Sequence, residues 1–81
     1  MKQLLLDVRT KDEIELESVK GAINIPLSEL QDRLLELDKD CEILAFCRSG
    51  RRSELAANIL KKEGFKAKNI GGYDEARLHN N

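Results

Sequence analysis

The run Leu4-Leu5-Leu6-Asp7-Val8 restricts this chain most. Successive residues of a strand point to opposite faces, so an almost unbroken apolar run needs cover on both. That suits one strand of a parallel sheet with helices on its faces, although five residues are too few for periodicity alone to exclude a helix. A second apolar run, Ile43-Leu44-Ala45-Phe46, marks a central strand over 41–46. Between the two, Thr10 with Glu13 has the form of a capping box and starts a short helix over 11–16. Residues 17–21 read as a loop, and Ala22-Ile23-Asn24-Ile25 as a short extended segment that Pro26 stops. Ser28 can cap a following helix with Leu30, Leu34, Leu35 and Leu37 on one face and Glu29, Asp32, Arg33 and Glu36 outward. After a turn at 38–40 and the central strand, a helix runs from Ser53 to about Glu63, with Gly64 at its C-terminal position. Alternation over 65–70 marks a last strand, ended by Gly71-Gly72, and 73–81 read as a loosely attached tail. Strands alternating with helices imply right-handed βαβ units: an α/β domain with a small parallel sheet and helices on both faces.

Ligands of such sheets bind at the carboxyl ends of the strands. There the chain places Cys47-Arg48-Ser49-Gly50-Arg51-Arg52-Ser53, between the central strand and a helix, with Arg9 and Gly71 at neighbouring strand ends. The first N–H groups of a helix lack internal partners, its dipole is positive at that end, and successive loop N–H groups can converge on an anion. A cysteine seated there should have a depressed pKa, which points to Cys47 as a nucleophilic thiolate. Gly50 allows a backbone conformation that a residue with a Cβ resists. Arg51 and Arg52 could be a solvated helix start, but cations are unfavourable at that end, so their placement calls for an anion in compensation. A cysteine after a strand is otherwise often a small buried apolar residue, the reading taken for Cys41. His79 is assigned no role.

A chain of 81 residues holds one domain, 1–81, here with a core over 4–73 and a tail over 74–81. Aromatic residues are 4%, so the core must be aliphatic. A net charge of −1 argues against a general nucleic-acid or acidic-membrane binder. With neither a membrane-length apolar run nor a signal-peptide pattern, the expected location is cytoplasmic. Cys41 and Cys47 stand at opposite ends of one strand, roughly 20 Å apart, too far for a disulfide. Two cysteines and one histidine make a zinc site improbable, and no cofactor is expected.

Four separated segments, Leu-Asp-Val-Arg-Thr (6–10), Gly-Ala-Ile-Asn-Ile-Pro (21–26), Cys-Arg-Ser-Gly-Arg-Arg-Ser (47–53) and Gly-Gly-Tyr (71–73), resemble the rhodanese-like domain in order and spacing. The resemblance implies a parallel α/β fold with an active-site loop after the central strand. It implies a thiosulfate sulfurtransferase-like enzyme, in which Cys47 carries sulfane sulfur as a persulfide from thiosulfate or a persulfide donor to a thiol or cyanide acceptor. By the same matching, Arg48, Ser49, Gly50, Arg51 and Arg52 complete a six-residue loop that binds substrate, and Ser53 stands where the loop enters its helix. Asp7 and Arg9 match a pair that supports the loop.

Phosphatases and arsenate reductases share the fold, but need an arginine after five intervening residues, where this chain has Ser53; Arg52 is one residue early. Relatives commonly begin with a further strand and helix, which this chain lacks, and often read His-Ile-Pro-Gly-Ala where this chain has Ser18-Val19-Lys20-Gly21-Ala22. The short start could leave a sheet edge or apolar face open. A homodimer, a protein sulfur-relay partner or a longer polypeptide would answer that need. The chain is also similar to the rhodanese module of CoA-disulfide reductases, so a sulfur-relay or redox-partner module is the alternative reading.

Overall fold

The computed structural model describes residues 1–79. Four parallel strands, β1 (Lys2–Asp7), β2 (Ile23–Asn24), β3 (Cys41–Phe46) and β4 (Lys66–Asn69), form one sheet in the order β2-β1-β3-β4. The apolar runs become the two inner strands, where both faces and both edges are covered. Leu6 pairs with Ile23 on one side and Ala45 on the other, while Ala45 pairs in turn with Asn69.

Period-two alternation divides the core. Leu6, Val8, Ile43, Ala45 and Cys47 face one side, packing with Leu30, Leu37, Ala56 and Leu60. Leu5, Leu44 and Phe46 face the other, with Val19 and Ala76. The first side is covered by α2 (Leu27–Leu30) and α3 (Arg51–Lys62), and the second by α4 (Tyr73–His79). The expected α/β architecture, a parallel sheet with helices, is what forms. α1 (Lys11–Leu16) buries no residue and stands on its capping box, with Thr10 and Glu13 bonded reciprocally as the sequence indicated.

Three expectations need correction. The helix after Pro26 is a single turn, α2, which passes into a 3-10 segment, Gln31–Glu36, interrupted by a non-helical Arg33. Pro26, not Ser28, is its N-cap and makes no side-chain bond. Leu30 and Leu37 enter the core, but the change of pitch leaves Leu35 fully exposed. The central helix begins at Arg51, two residues before Ser53, with Gly50 as N-cap. Residues 73–79 are no loose tail: they fold as α4, with Ala76 fully buried, while residues 80–81 lie outside the described residues. No helix among the described residues is long and apolar enough to cross a membrane.

Between β1 and β3 the connections reverse direction, because β2 lies on one side of β1 and β3 on the other. In parallel sheets that reversal opens a crevice beyond the carboxyl ends of the two strands. Arg9 follows β1 and Cys47 follows β3, so the topology itself brings them together.

Candidate active site

The loop after β3 is stitched to the segment after β4. Cys47 N–H donates to the Gly71 carbonyl at 3.2 Å, Tyr73 N–H donates to the Arg48 carbonyl at 3.4 Å, and Ser49 forms an antiparallel bridge with Gly72. Gly50, at φ +95°, turns the chain into α3 in a conformation that favours glycine. No side chain caps α3; instead Gly50 N–H points at Cys47 Sγ, 3.0 Å away. Ser53, a buried residue of the first turn, places its hydroxyl 3.5 Å from the same sulfur.

Cys47 is only 1% exposed, so its charged form loses nearly all contact with water. Burial accordingly pushes the thiol pKa up, but the Ser53 hydroxyl and the backbone N–H groups of Ser53, Ser49 and Gly50 outweigh it. The result is a thiol below its ordinary range. The cradle therefore accepts a negative charge on sulfur by directed N–H groups at the start of a helix.

The arginines of the loop separate into different roles. Arg52 is held in a bidentate pair by Glu13 of α1, at 2.6 and 2.9 Å. Arg52 and its hydrogen bonds hold the Glu13 carboxyl down at about 2, against an ordinary 4.5. The compensating anion that a cation at this helix end requires is thus inside the protein, and the Arg52 fork is already engaged. Its charge still acts on Cys47 electrostatically. Arg48 and Arg51 are exposed and form no ion pair among the described residues. Arg48 lines a polar cleft of about 200 Å³ with Arg9, Glu17, Tyr73 and Asp74. Ser49 is exposed beside it.

Asp7 and Arg9 form a buried pair at 2.8 Å, exposed by 1% and 2%. Arg9 also donates to the Glu17 carbonyl at 2.8 Å and lies over the Tyr73 ring, 4.8 Å from its centroid. The pair thus braces the segment before β2 and the start of α4. Arg9 meets the Cys47 loop across the cleft it shares with Arg48.

Sequence reasoning missed four residues here. Glu13 was legible as a cap but not as the partner of Arg52. Tyr73 was legible as the end of the Gly-Gly-Tyr segment but not as the ring under Arg9, and Glu75 fell in the expected tail, yet it accepts the Gly72 N–H at 2.6 Å. Asn69 was read only as part of the alternating last strand, whereas its side chain bonds Gly50, Ser53, Glu54 and Gly71. The available signal was its phase: by period two it shares a face with Phe65 and Ala67, where a polar residue needs partners. Among the described residues no group of three metal-binding side chains gathers. Cys41 is buried in the first core cluster, and His79 ends α4, exposed.

A family model described as the rhodanese-like domain matches residues 1–78. The chain is 48% identical over 62 residues to YrkF of Bacillus subtilis (strain 168), covering 76% of this chain and 34% of that protein. It is 39% identical over 76 residues to the thiosulfate sulfurtransferase PspE of Escherichia coli (strain K12), covering 90% of this chain and 73% of PspE. Among solved structures, reduced Bacillus anthracis CoADR-RHD superposes with a TM-score of 0.85 at 43% identity. That match covers 91% of this chain but 14% of the other, so the chain corresponds to one part of a much longer polypeptide there.

Proposed function

The chain belongs to the rhodanese-like domain family, and from that premise we propose that it is a sulfurtransferase whose Cys47 carries sulfane sulfur as a persulfide. One observation carries the reading: a nearly sealed cysteine sulfur receives the Gly50 N–H at 3.0 Å and lies within reach of the Ser53 hydroxyl. Its similarity to PspE, named a thiosulfate sulfurtransferase, supports thiosulfate as a donor.

Loading is a displacement at sulfur. The Cys47 thiolate attacks the outer sulfur of thiosulfate, an S–S bond forms, the original S–S bond breaks, and sulfite leaves with its electron pair. The charge of the thiolate passes to the outer sulfur of the new persulfide. Unloading reverses the polarity: a cyanide or thiolate acceptor attacks that outer sulfur, and Cys47 leaves as the thiolate. Each step begins and ends with one negative charge in the loop, which is what convergent N–H donors stabilise. Arg48 and Arg51, exposed cations of the loop with no ion pair among the described residues, are assigned to attracting the anionic donor. Arg52 is assigned to the standing charge beside the sulfur, and Ser49 and Gly50 to the cradle. Asp7 and Arg9 are assigned to bracing the site's outer wall. For a phosphatase, the place of the required arginine is held by buried Ser53, and Arg52 is engaged by Glu13.

A second reading follows from the correspondence with part of CoADR-RHD: a relay module that accepts persulfide from a protein donor or hands it to a reductase. One measurement separates the two. Intact mass after incubation with thiosulfate should rise by one sulfur atom, the increase being removed by cyanide, absent in Cys47→Ser and kept in Cys41→Ser. An adduct that survives Cys47→Ser refutes the Cys47 persulfide. A folded, reduced protein that takes no sulfur from thiosulfate but does from a persulfide donor belongs to the relay reading.

A further inference from the structure

Asn69 ends β4 beside the Cys47 loop, and its amide group makes four hydrogen bonds. Oδ1 accepts from Ser53 Oγ at 2.7 Å and from Gly71 N–H at 2.9 Å. Nδ2 donates to the Gly50 carbonyl at 3.0 Å and to Glu54 Oε1 at 3.1 Å. The partners dictate the orientation of the amide, since a backbone N–H only donates and a carbonyl only accepts.

Ser53 is fully buried, and its hydroxyl has one hydrogen for three acceptors within reach. Asn69 Oδ1 lies at 2.7 Å, the Gly71 carbonyl at 3.4 Å and Cys47 Sγ at 3.5 Å. By distance the hydrogen belongs to Asn69. By charge it belongs to the sulfur whenever Cys47 is a thiolate, because hydrogen bonds to ionised acceptors are about twice as strong as neutral ones.

We propose that Asn69 is a positioning residue that shares the Ser53 hydroxyl with Cys47: the O–H turns to the sulfur in the thiolate state and to Asn69 once the charge sits on the outer sulfur of the persulfide. The inference rests on the persulfide reading of Cys47. No proton leaves Ser53; the hydroxyl only rotates. Neither state then leaves a buried hydroxyl without an acceptor, and the sulfur can give up its charge without an unpaired donor remaining beside it. The other charged groups around the loop are Arg48 and Arg51 of the loop and helix start, Arg52 paired with Glu13, Asp7 paired with Arg9, Glu17 and Asp74 in the cleft beside Arg48, Glu54 on α3 and Glu75 at Gly72. Substitution at Ser53 or Asn69 leaves all of them in place, and removes a partner only from Glu54.

The test is the pH dependence of Cys47 alkylation by iodoacetamide in the reduced, sulfur-free protein, for Ser53→Ala, Asn69→Ala and the double variant. Ser53→Ala should raise the apparent Cys47 pKa. Asn69→Ala should lower it, with roughly a threefold higher alkylation rate below the midpoint, since half a pH unit is about that factor. The double variant should match Ser53→Ala alone. An upward shift from Asn69→Ala that is the same with and without Ser53 is the signature of plain loop support and overturns the proposal, as does no shift at all. If Asn69→Ala fails to fold, Asn69→Asp keeps the acceptor and claims the hydroxyl more strongly. Its rise in Cys47 pKa should be larger with Ser53 than in the Ser53→Ala background, and equal rises overturn the sharing. Because the protein carries no sulfur here, failure to load sulfur on Cys47 from either thiosulfate or a persulfide donor would defeat the persulfide reading while leaving the coupling measurable. Absent coupling in a protein that loads sulfur defeats the role of Asn69 alone.

Discussion

Glu13 serves two structures with one carboxylate. It accepts from Thr10 N–H at 3.0 Å, closing the cap of α1, and grips Arg52 at the start of α3. Because α1 buries no residue, it is tethered to the body of the protein by this pair and, at its other end, by the Arg9 bond to the Glu17 carbonyl. Glu13→Gln should therefore cost about 1 kcal/mol at pH 7 in urea unfolding, the scale of a partly exposed ion pair with good geometry. The sign of the pH dependence follows from a folded pKa near 2, below the ordinary 4.5. The stabilisation is complete above about 4.5 and is lost as pH falls through about 2, the unfolded chain binding its proton first. The stability gap between the native protein and Glu13→Gln should close across that window. A gap that stays constant with pH would mean the charge of Glu13 contributes nothing. The cap was legible because Thr10 and Glu13 are neighbours in sequence; the pair with Arg52 was not, because 39 positions separate its members.

At the scale of elements, the least legible part was the segment from Gly71 through α4. Tyr73-Asp74-Glu75-Ala76-Arg77-Leu78-His79 offers only a short helical stretch with one fully buried residue, Ala76. Its reason to fold is the second face of the sheet, where Leu5, Leu44 and Phe46 need cover. The two glycines before it read as the end of a strand, but the Gly72 backbone lies against the Cys47 loop. A Cβ built at Gly72 would lie 2.4 Å from the Arg48 carbonyl oxygen and 3.0 Å from Glu75 Oε1. Gly72→Ala must push the loop and the α4 start apart, and should cost about 1–3 kcal/mol, as overpacking does. The midpoint of thermal unfolding should fall, and sulfur loading at Cys47 should slow more than in Gly21→Ala, where a Cβ meets nothing within 4 Å. Equal loading rates in the two variants would show that the close approach does not shape the site.

For the whole molecule, the radius of gyration of 11.2 Å is near the roughly 12 Å expected of a compact domain of this length. A chain so short has little stability in reserve, and single domains generally hold about 5–15 kcal/mol. Leu60 of α3 is fully buried in the first core cluster, so truncating its side chain leaves a void there. Leu60→Ala should cost about 2–5 kcal/mol, read as a lower urea midpoint at an unchanged slope. A loss below about 1 kcal/mol would mean that this side of the core repacks freely.

By itself the sequence determined the strands, the parallel α/β architecture, the cap of α1 and the cysteine loop with its glycine. Each of these rests on apolar runs, caps or turn residues that act over a few neighbouring positions. The tertiary structure alone decided that Arg52 faces Glu13, that Asn69 gathers the loop, that residues 73–79 form α4 and that Leu35 turns outward. Those outcomes depend on which surfaces meet after the sheet has assembled. Short-range pattern carries no information about an amide or carboxylate whose partners arrive from another strand or helix.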